Sequence, residues 1–471
     1  MPEILLSKEG WLKLIPVSLK KYFNMSKRLR KKEIQSTLWF MPLLYILGAL
    51  FLVAFTLYID FAVGLREVAP EILQFEASVA RTLVSVLVGG ILTLSAFTLN
   101  SLLVVLTTFS GQFSPRMLLN FIADKNTQHA LGIFNGSFVY VLVIFLFIGN
   151  APFETLVAVP VMSILLAFIT SIVFVYFINH ASTWMQVHNI TYSMKNISKD
   201  IIYSSLRKDL DQYRTTEPGD MMKEYKDNQY QVLSREVGYL QLVDYKTMIE
   251  EAKKDNIIVQ IQPQVGDYLL TGNVLFTYWG PGADEIEDDT KYYRMFEFGH
   301  KETEVQDLQM GMHKLAEIAI KAVGNDDPKT ATNTIHQMAD LMITVDGYIT
   351  FSPYLADDED QVRVILQEET FDYYIYRGFG FIRHYAKDNH LIITDIMGAL
   401  AMISESISEN KYESIWEFAV NTMDHIEANL VYELDKRFLL RQVYRIAELT
   451  GHIEDYPRIE SRFYPSANEN V

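Results

Sequence analysis

The chain has 471 residues and no cysteine, which removes disulfides, thiol nucleophiles and thiolate metal sites together. Two or three domains are expected at that length. Its net charge of −17 is unevenly spread: the first 36 residues carry +6, residues 37–180 carry −2, and −21 is left for residues 181–471. Negative charge of that size argues against a nucleic-acid-binding tail, because a phosphate backbone would be repelled.

Residues 1–36 form a basic N-terminal segment. Between Glu3 and Phe23, Leu5, Leu6, Trp11, Leu12, Leu14, Ile15, Leu19 and Tyr22 are interleaved with Lys8, Lys13, Lys20 and Lys21. That composition predicts an amphipathic helix, lying either on anionic inner-leaflet lipids or on the protein itself. It does not read as a cleaved leader.

Residues 37–180 contain four apolar stretches near Leu38–Val63, Val79–Phe109, Ala130–Ile148 and Leu156–Ile178. About 20 apolar helical residues cross the hydrocarbon core, so four transmembrane helices are expected. Lys27 to Lys32 precede the first span and hold the N-terminus in the cytoplasm. The loop from Gly64 to Ser78, with Arg66 against Glu67, Glu71 and Glu76, reads as outside, and the loop carrying Arg116 and Lys125 reads as inside. The third loop, Asn150–Glu154, is a short outside turn that makes spans three and four a tight hairpin. An even number of spans across a cell membrane returns the chain to the cytoplasm, so both termini are expected there. Asp60, at the outer end of span one, is expected to be interfacial.

The second span carries the most information. At alternating steps of three and four it presents Thr82, Ser85, Gly89, Thr93, Ala96, Asn100 and Thr107, with Arg81 at the outer end. One face is therefore small or polar for most of its length. Such a seam lets helices approach closely, or it lines a water path, since a polar group facing lipid is costly. A ring of copies around an axis satisfies both readings. The other spans hold fewer polar groups (Asn135-Gly136-Ser137, Thr170-Ser171, Asn179-His180) and no charged relay.

Residues 181–237 read as a helical connector. Residues 238–300 read as a small β-barrel-like module, with short β runs divided by Pro263, Gly266-Asp267 and Gly272-Asn273. Residues 301–471 read as a helical bundle without a sheet, including one helix near Asp360–Tyr385 and another that starts after Asp327-Pro328 as N-cap. The fold class expected is thus mainly α: a four-helix transmembrane domain followed by a cytoplasmic α+β region. No Walker loop, nucleophile elbow or His-Glu-x-x-His occurs, so neither an enzyme nor a cofactor is expected. His300, Glu304 and Asp307 would share a face, as metal ligands must, only if helical, and a solvated helix start is the commoner case. Arg377, Arg383 and His384 offer an anion site, with surface ion pairs as the commoner alternative.

The run from Ser95 to Ile144, SAFTLNSLLVVLTTFSGQFSPRMLLNFIADKNTQHALGIFNGSFVYVLVI, resembles a bacterial membrane-protein family, domain-of-unknown-function family 2254. The matching features are the Ser110–Arg116 loop after span two, Gln128, and Gly132 to Phe138 in span three. GYLQLVD, VGDYLLTGNVL and VQDLQMGMHKLAEIAIKAV followed by DDPKTA also match in order. Where that family has Ser-Pro-x-x-Asn-Asp-Pro, this chain has the shorter Gly324-Asn325-Asp326-Asp327-Pro328. The resemblance implies the topology and carries no activity with it. From the residues, the function expected is an oligomeric ion channel or pore, a cyclic homo-oligomer lined by span two and gated by its cytoplasmic domain. The alternative is a membrane-anchored sensor or scaffold that does not conduct.

Overall fold

The computed structural model describes residues 30–464, apart from 32, 35–36, 64, 113–120, 149–154, 207–209, 221, 304, 388, 425, 427–429 and 431. The N-terminal amphipathic segment, most of the Ser110–Arg116 loop and the Asn150–Glu154 turn lie outside the described residues. The chain divides into two compact units, Met1–Asn189 and Ile190–Val471.

Among its described residues, unit one is built on four helices long and apolar enough to cross a membrane. They are α1 (Phe40–Tyr58, extended by a π-helical turn through Val63), α2 (Ala77–Gln112), α3 (Lys125–Ile148) and α4 (Ala158–Trp184). Strands β1 (Phe75–Glu76) and β2 (Thr155–Leu156) pair antiparallel, which ties the chain before α2 to the chain before α4 at one end of the helices. Helix α3 is the central one. Its Tyr140, Val141 and Ile144 are fully buried with Val53 of α1, Val84 and Ile91 of α2 and Val159 of α4.

Close approach of α1 to α3 depends on two glycines one turn apart. A Cβ on Gly132 would run into the Tyr45 ring, and one on Gly136 would stand 3.1 Å from the Tyr45 carbonyl oxygen. This is the small-residue packing that membrane helices use when no hydrophobic force drives them together. The Tyr45 hydroxyl then meets His129 Nδ1 at 3.0 Å.

Asp60 is a correction to the sequence reading: it is buried, at 6% exposure, in the π-helical turn that ends span one. Its Oδ1 accepts from the backbone N–H groups of Val157 and Ala158 at 3.1 and 2.8 Å, and its Oδ2 from Val159 at 2.9 Å. Val157, at the N-cap of α4, makes no side-chain cap. A carboxylate from another span does that work, where free N–H groups and the helix dipole favour an anion.

In unit two, α5 (Val187–Ile201, its first residues in unit one) leads to β3 (Arg214–Thr215), β4 (Tyr230–Leu233) and β5 (Gly238–Val243). Helix α6 (Tyr245–Lys254) is followed by β6 (Ile258–Ile261), β7 (Tyr268–Leu269), β8 (Val274–Trp279), α7 (Thr290–Tyr293) and β9 (Phe296–Gly299). Next come α8 (Leu308–Gly324) and α9 (Pro328–Tyr348). Strands β10 (Tyr354–Ala356) and β11 (Val362–Ile365) then interrupt the helices. After them come α10 (Phe371–Ile375), a π-helical turn at Tyr376–Gly380, α11 (Phe381–Ala386) and α12 (His390–Ser404). The last helices are α13 (Tyr412–Asp424), α14 (Glu433–Thr450) and α15 (Tyr456–Phe463).

The β part is two open sheets rather than a barrel. One has the order β3-β10-β11-β6-β8-β4, in which only β11 and β6 are parallel; the other has the order β7-β5-β9. Among the described residues no pairing joins β3 to β4, so the larger sheet does not close. Both sheets share one core with α6, in which Phe276 stacks on Phe296 at 5.5 Å and Val259, Leu275 and Val364 are fully buried. The helix expected near Asp360–Tyr385 begins only at Phe371, because Val-Arg-Val-Ile pairs with β6 instead. β-branched residues on a doubly covered central strand account for that choice. Arg363 tolerates burial there because Asp357 binds its Nε at 2.7 Å. The stretch expected as a helical connector likewise contains β3 and β4. Asp327 does cap α9, accepting from the Thr330 N–H at 3.1 Å. Of the aromatic run in 371–381, Phe371, Tyr374 and Phe379 are core, while Tyr376 is exposed.

Candidate functional site

Helix α2 turns Ala80, Val84, Ile91, Thr98, Leu102 and Val105 inward, all of them buried. Arg81, Thr82, Ser85, Gly89, Thr93, Ala96, Asn100 and Thr107 are all exposed. The small and polar stripe is thus the face that the chain's own helices leave uncovered. A Cβ at Gly89 or Gly90 would meet no atom within 4 Å, in contrast to Gly132 and Gly136. The packing demand that explains the glycines of α3 does not act within the chain on those of α2. Val86, Leu92, Phe97, Leu103 and Val104 are also exposed and flank the stripe with apolar surface.

The hydroxyls along the stripe are mostly satisfied locally. Thr82 donates to the Ser78 carbonyl at 2.9 Å, Thr93 to Gly89 at 2.8 Å and Thr107 to Val104 at 2.9 Å. Among the described residues, Ser85 and Asn100 have no such partner. Arg81 leans off the stripe, its guanidinium 5.9 Å over the Phe145 ring of α3.

A second cluster in unit one was not read from the sequence. His180 Nε2 lies 2.8 Å from Asp124 Oδ2, with the imidazole stacked between Tyr176 and Phe121 and edge-on to Trp184. Asp124 also accepts from the Thr127 N–H at 2.9 Å and so caps α3. Burial raises the Asp124 carboxyl, but the bonds from His180 and Thr127 outweigh it and hold the group below the usual carboxylate range. The signal that could have found this pair is the hairpin itself. Asp124 and His180 each stand 28 residues from Pro152, so antiparallel spans bring them level.

Unit two encloses a cavity of about 60 Å³, enough for a few waters, lined among others by Arg214, Tyr245, Asp307, Glu369 and Tyr374. Asp307 is the N-cap of α8 and accepts from the Met310 N–H at 3.1 Å. Burial pushes its carboxyl up to about 7, with Glu302 and Glu369 adding repulsion and the Met310 and Gln309 N–H groups opposing. Glu369 is also raised by burial, although the Tyr374 hydroxyl donates to it at 2.7 Å. His300 and Asp307 do not share a helix face, since helix begins only at Leu308, and Glu304 lies outside the described residues. His313 instead packs edge-on against Phe381, 5.4 Å between ring centres.

Four long apolar helices in succession, with α3 packed among the other three and those three largely uncovered by the rest of the chain, define a multi-span membrane protein. The chain belongs to the family described as Predicted membrane protein (DUF2254), which it matches over residues 35–402. It is similar to uncharacterized protein Mb1321c of Mycobacterium bovis and uncharacterized protein Rv1290c of Mycobacterium tuberculosis. Each is 24% identical over 312 residues, covering 63% of this chain. The matched region spans 58% of the length of those relatives. No solved structure matches the chain.

Proposed function

We propose that the protein is a homo-oligomeric membrane pore for ions, with copies of α2 around the symmetry axis and both termini in the cytoplasm. The observation that carries this reading is the stripe from Thr82 to Thr107, which one chain leaves exposed along its whole length. Polar groups are costly against lipid, so this face favours a neighbour or water. Four spans are too few to enclose a path within one chain, whereas one long helix per subunit suits a ring. Asn100 stands in the middle of that face as the group that would meet the permeant ion, and unit two is the gate.

Assembly decides the first part. Mass measurement in mild detergent should give a closed oligomer, and Gly89→Leu with Ala96→Leu should shift the population toward monomer, since bulky groups force α2 helices apart. A monodisperse wild-type monomer overturns the ring and the pore built on it. Conduction decides the second part. In planar bilayers, Asn100→Leu should lower the unitary current several-fold relative to wild type.

One observation favours a second reading, a membrane-anchored sensor or scaffold. The threonine hydroxyls bond back to their own helix and need no water. A stable oligomer that stays silent under varied voltage and tension would select this reading.

A further inference from the structure

Arg383 on α11 is a half-buried cation of unit two with no carboxylate partner among the described residues. Several buried or half-buried cations of this acidic unit have carboxylates: Arg363 has Asp357, Lys195 and Lys199 have Asp340, and Arg214 has Asp211. Arg383 has only neutral oxygens. Its Nη1 donates to Asn421 Oδ1 at 3.0 Å and Thr422 Oγ1 at 2.9 Å, while its guanidinium lies 4.5 Å over the Phe418 ring. Those contacts fix the side chain and leave the Nε–Nη2 edge without a partner among the described residues. That edge is the planar fork that holds a carboxylate or phosphate through two parallel hydrogen bonds.

The surroundings fit the same ligand. Arg383 lines a cavity of about 610 Å³ together with His384, Lys387, Tyr376 and Tyr385, and no carboxylate is among the described residues that line it. That volume is within the usual range of small-molecule sites. Tyr376 and Tyr385, 52% and 53% exposed, offer ring faces at the wall. Half-burial of an arginine without a counter-charge costs desolvation, and a chain with 58 acidic residues had many ways to neutralise it. Surface ion pairing, the commoner expectation for this arginine, does not occur here.

We propose that this cavity binds a phosphate-bearing small molecule with a planar ring, of the size of a mononucleotide. The phosphate sits on the free edge of Arg383 with His384 and Lys387, and the ring lies against Tyr376 or Tyr385. The proposal stands apart from the pore reading, because its ligand set lies entirely between 376 and 387.

The test uses the full chain in detergent micelles, titrated calorimetrically with AMP, GMP, ATP, adenosine and inorganic phosphate. At least one nucleotide should bind at least tenfold more tightly than phosphate, and adenosine should not bind detectably. Arg383→Gln should weaken that nucleotide at least tenfold, and Tyr376→Ala with Tyr385→Ala should reduce its advantage over phosphate. Because Arg383 also packs on Phe418, the exposed pair His384→Ala and Lys387→Ala provides a second variant that leaves the core intact and should also lose affinity. The proposal is overturned if no nucleotide binds the wild type, if phosphate binds as well as every nucleotide, or if Arg383→Gln and the exposed pair both bind like wild type.

Discussion

Asp60→Ala should be among the most damaging single substitutions in unit one, costing roughly 3–5 kcal/mol, since orphaned buried donors cost about 1–3 kcal/mol each. Three backbone N–H groups at the start of α4 give their hydrogen bonds to this one carboxylate. Alanine leaves all three without a partner where little water reaches them. It also removes the anion from the positive end of the helix dipole. Asp60→Asn keeps one acceptor oxygen and turns the other position into a donor facing donors, so its cost should be intermediate. Thermal unfolding of the purified chain in detergent should therefore rank wild type above Asn and Asn above Ala. Equal melting temperatures for wild type and Asp60→Ala would mean that the cap does not hold span four in place.

What was legible in the sequence was local. Four spans could be read because hydropathy along one segment needs no partner, and their observed limits depart from the expected ones by a few residues, five at the start of α3 and six at the end of α4. The exposed stripe on α2 was legible for the same reason, since a 3.6-residue period places Thr82, Gly89, Thr93 and Asn100 on one face whatever surrounds them. Interactions between spans were not. Whether Asp60 meets water or the N-terminus of α4 depends on where a helix 97 to 99 residues later starts. The same holds for Tyr45 over Gly132 and for His180 with Asp124, which rest on helix rotation. In unit two, Val-Arg-Val-Ile is too short to declare a period, and its parallel partner β6 lies about a hundred residues earlier. Arg383 is legible in the sequence as an anion candidate, but its lack of a carboxylate is a fact of packing around α11 and α13.

Asp307→Asn should change how stability depends on pH more than stability itself. The native carboxyl, held up to about 7, stays protonated over a range where the unfolded chain, near 3.8, has released its proton. The folded state then binds more protons than the unfolded one, so this group's contribution falls as pH rises from about 4 to about 7 and levels off above. Asn cannot titrate, yet it supplies the side-chain oxygen that caps α8, and Asn is as good an N-cap as Asp. The variant should gain up to about 3 kcal/mol on wild type between pH 4.5 and pH 8, at 1.36 kcal/mol per unit over the part of that range below about 7. Glu302 and Glu369 act in the same direction on Asp307 and remain in the variant, so the comparison isolates a single carboxyl. Chemical unfolding of the full chain, followed by the fluorescence of buried Trp279 and Trp416, gives the readout at each pH. A wild-type–variant difference that stays constant from pH 4.5 to 8 would mean that Asp307 is ionised throughout. Its burial beside Glu369 would then have to be offset by charge on Arg214, the cation that shares the cavity.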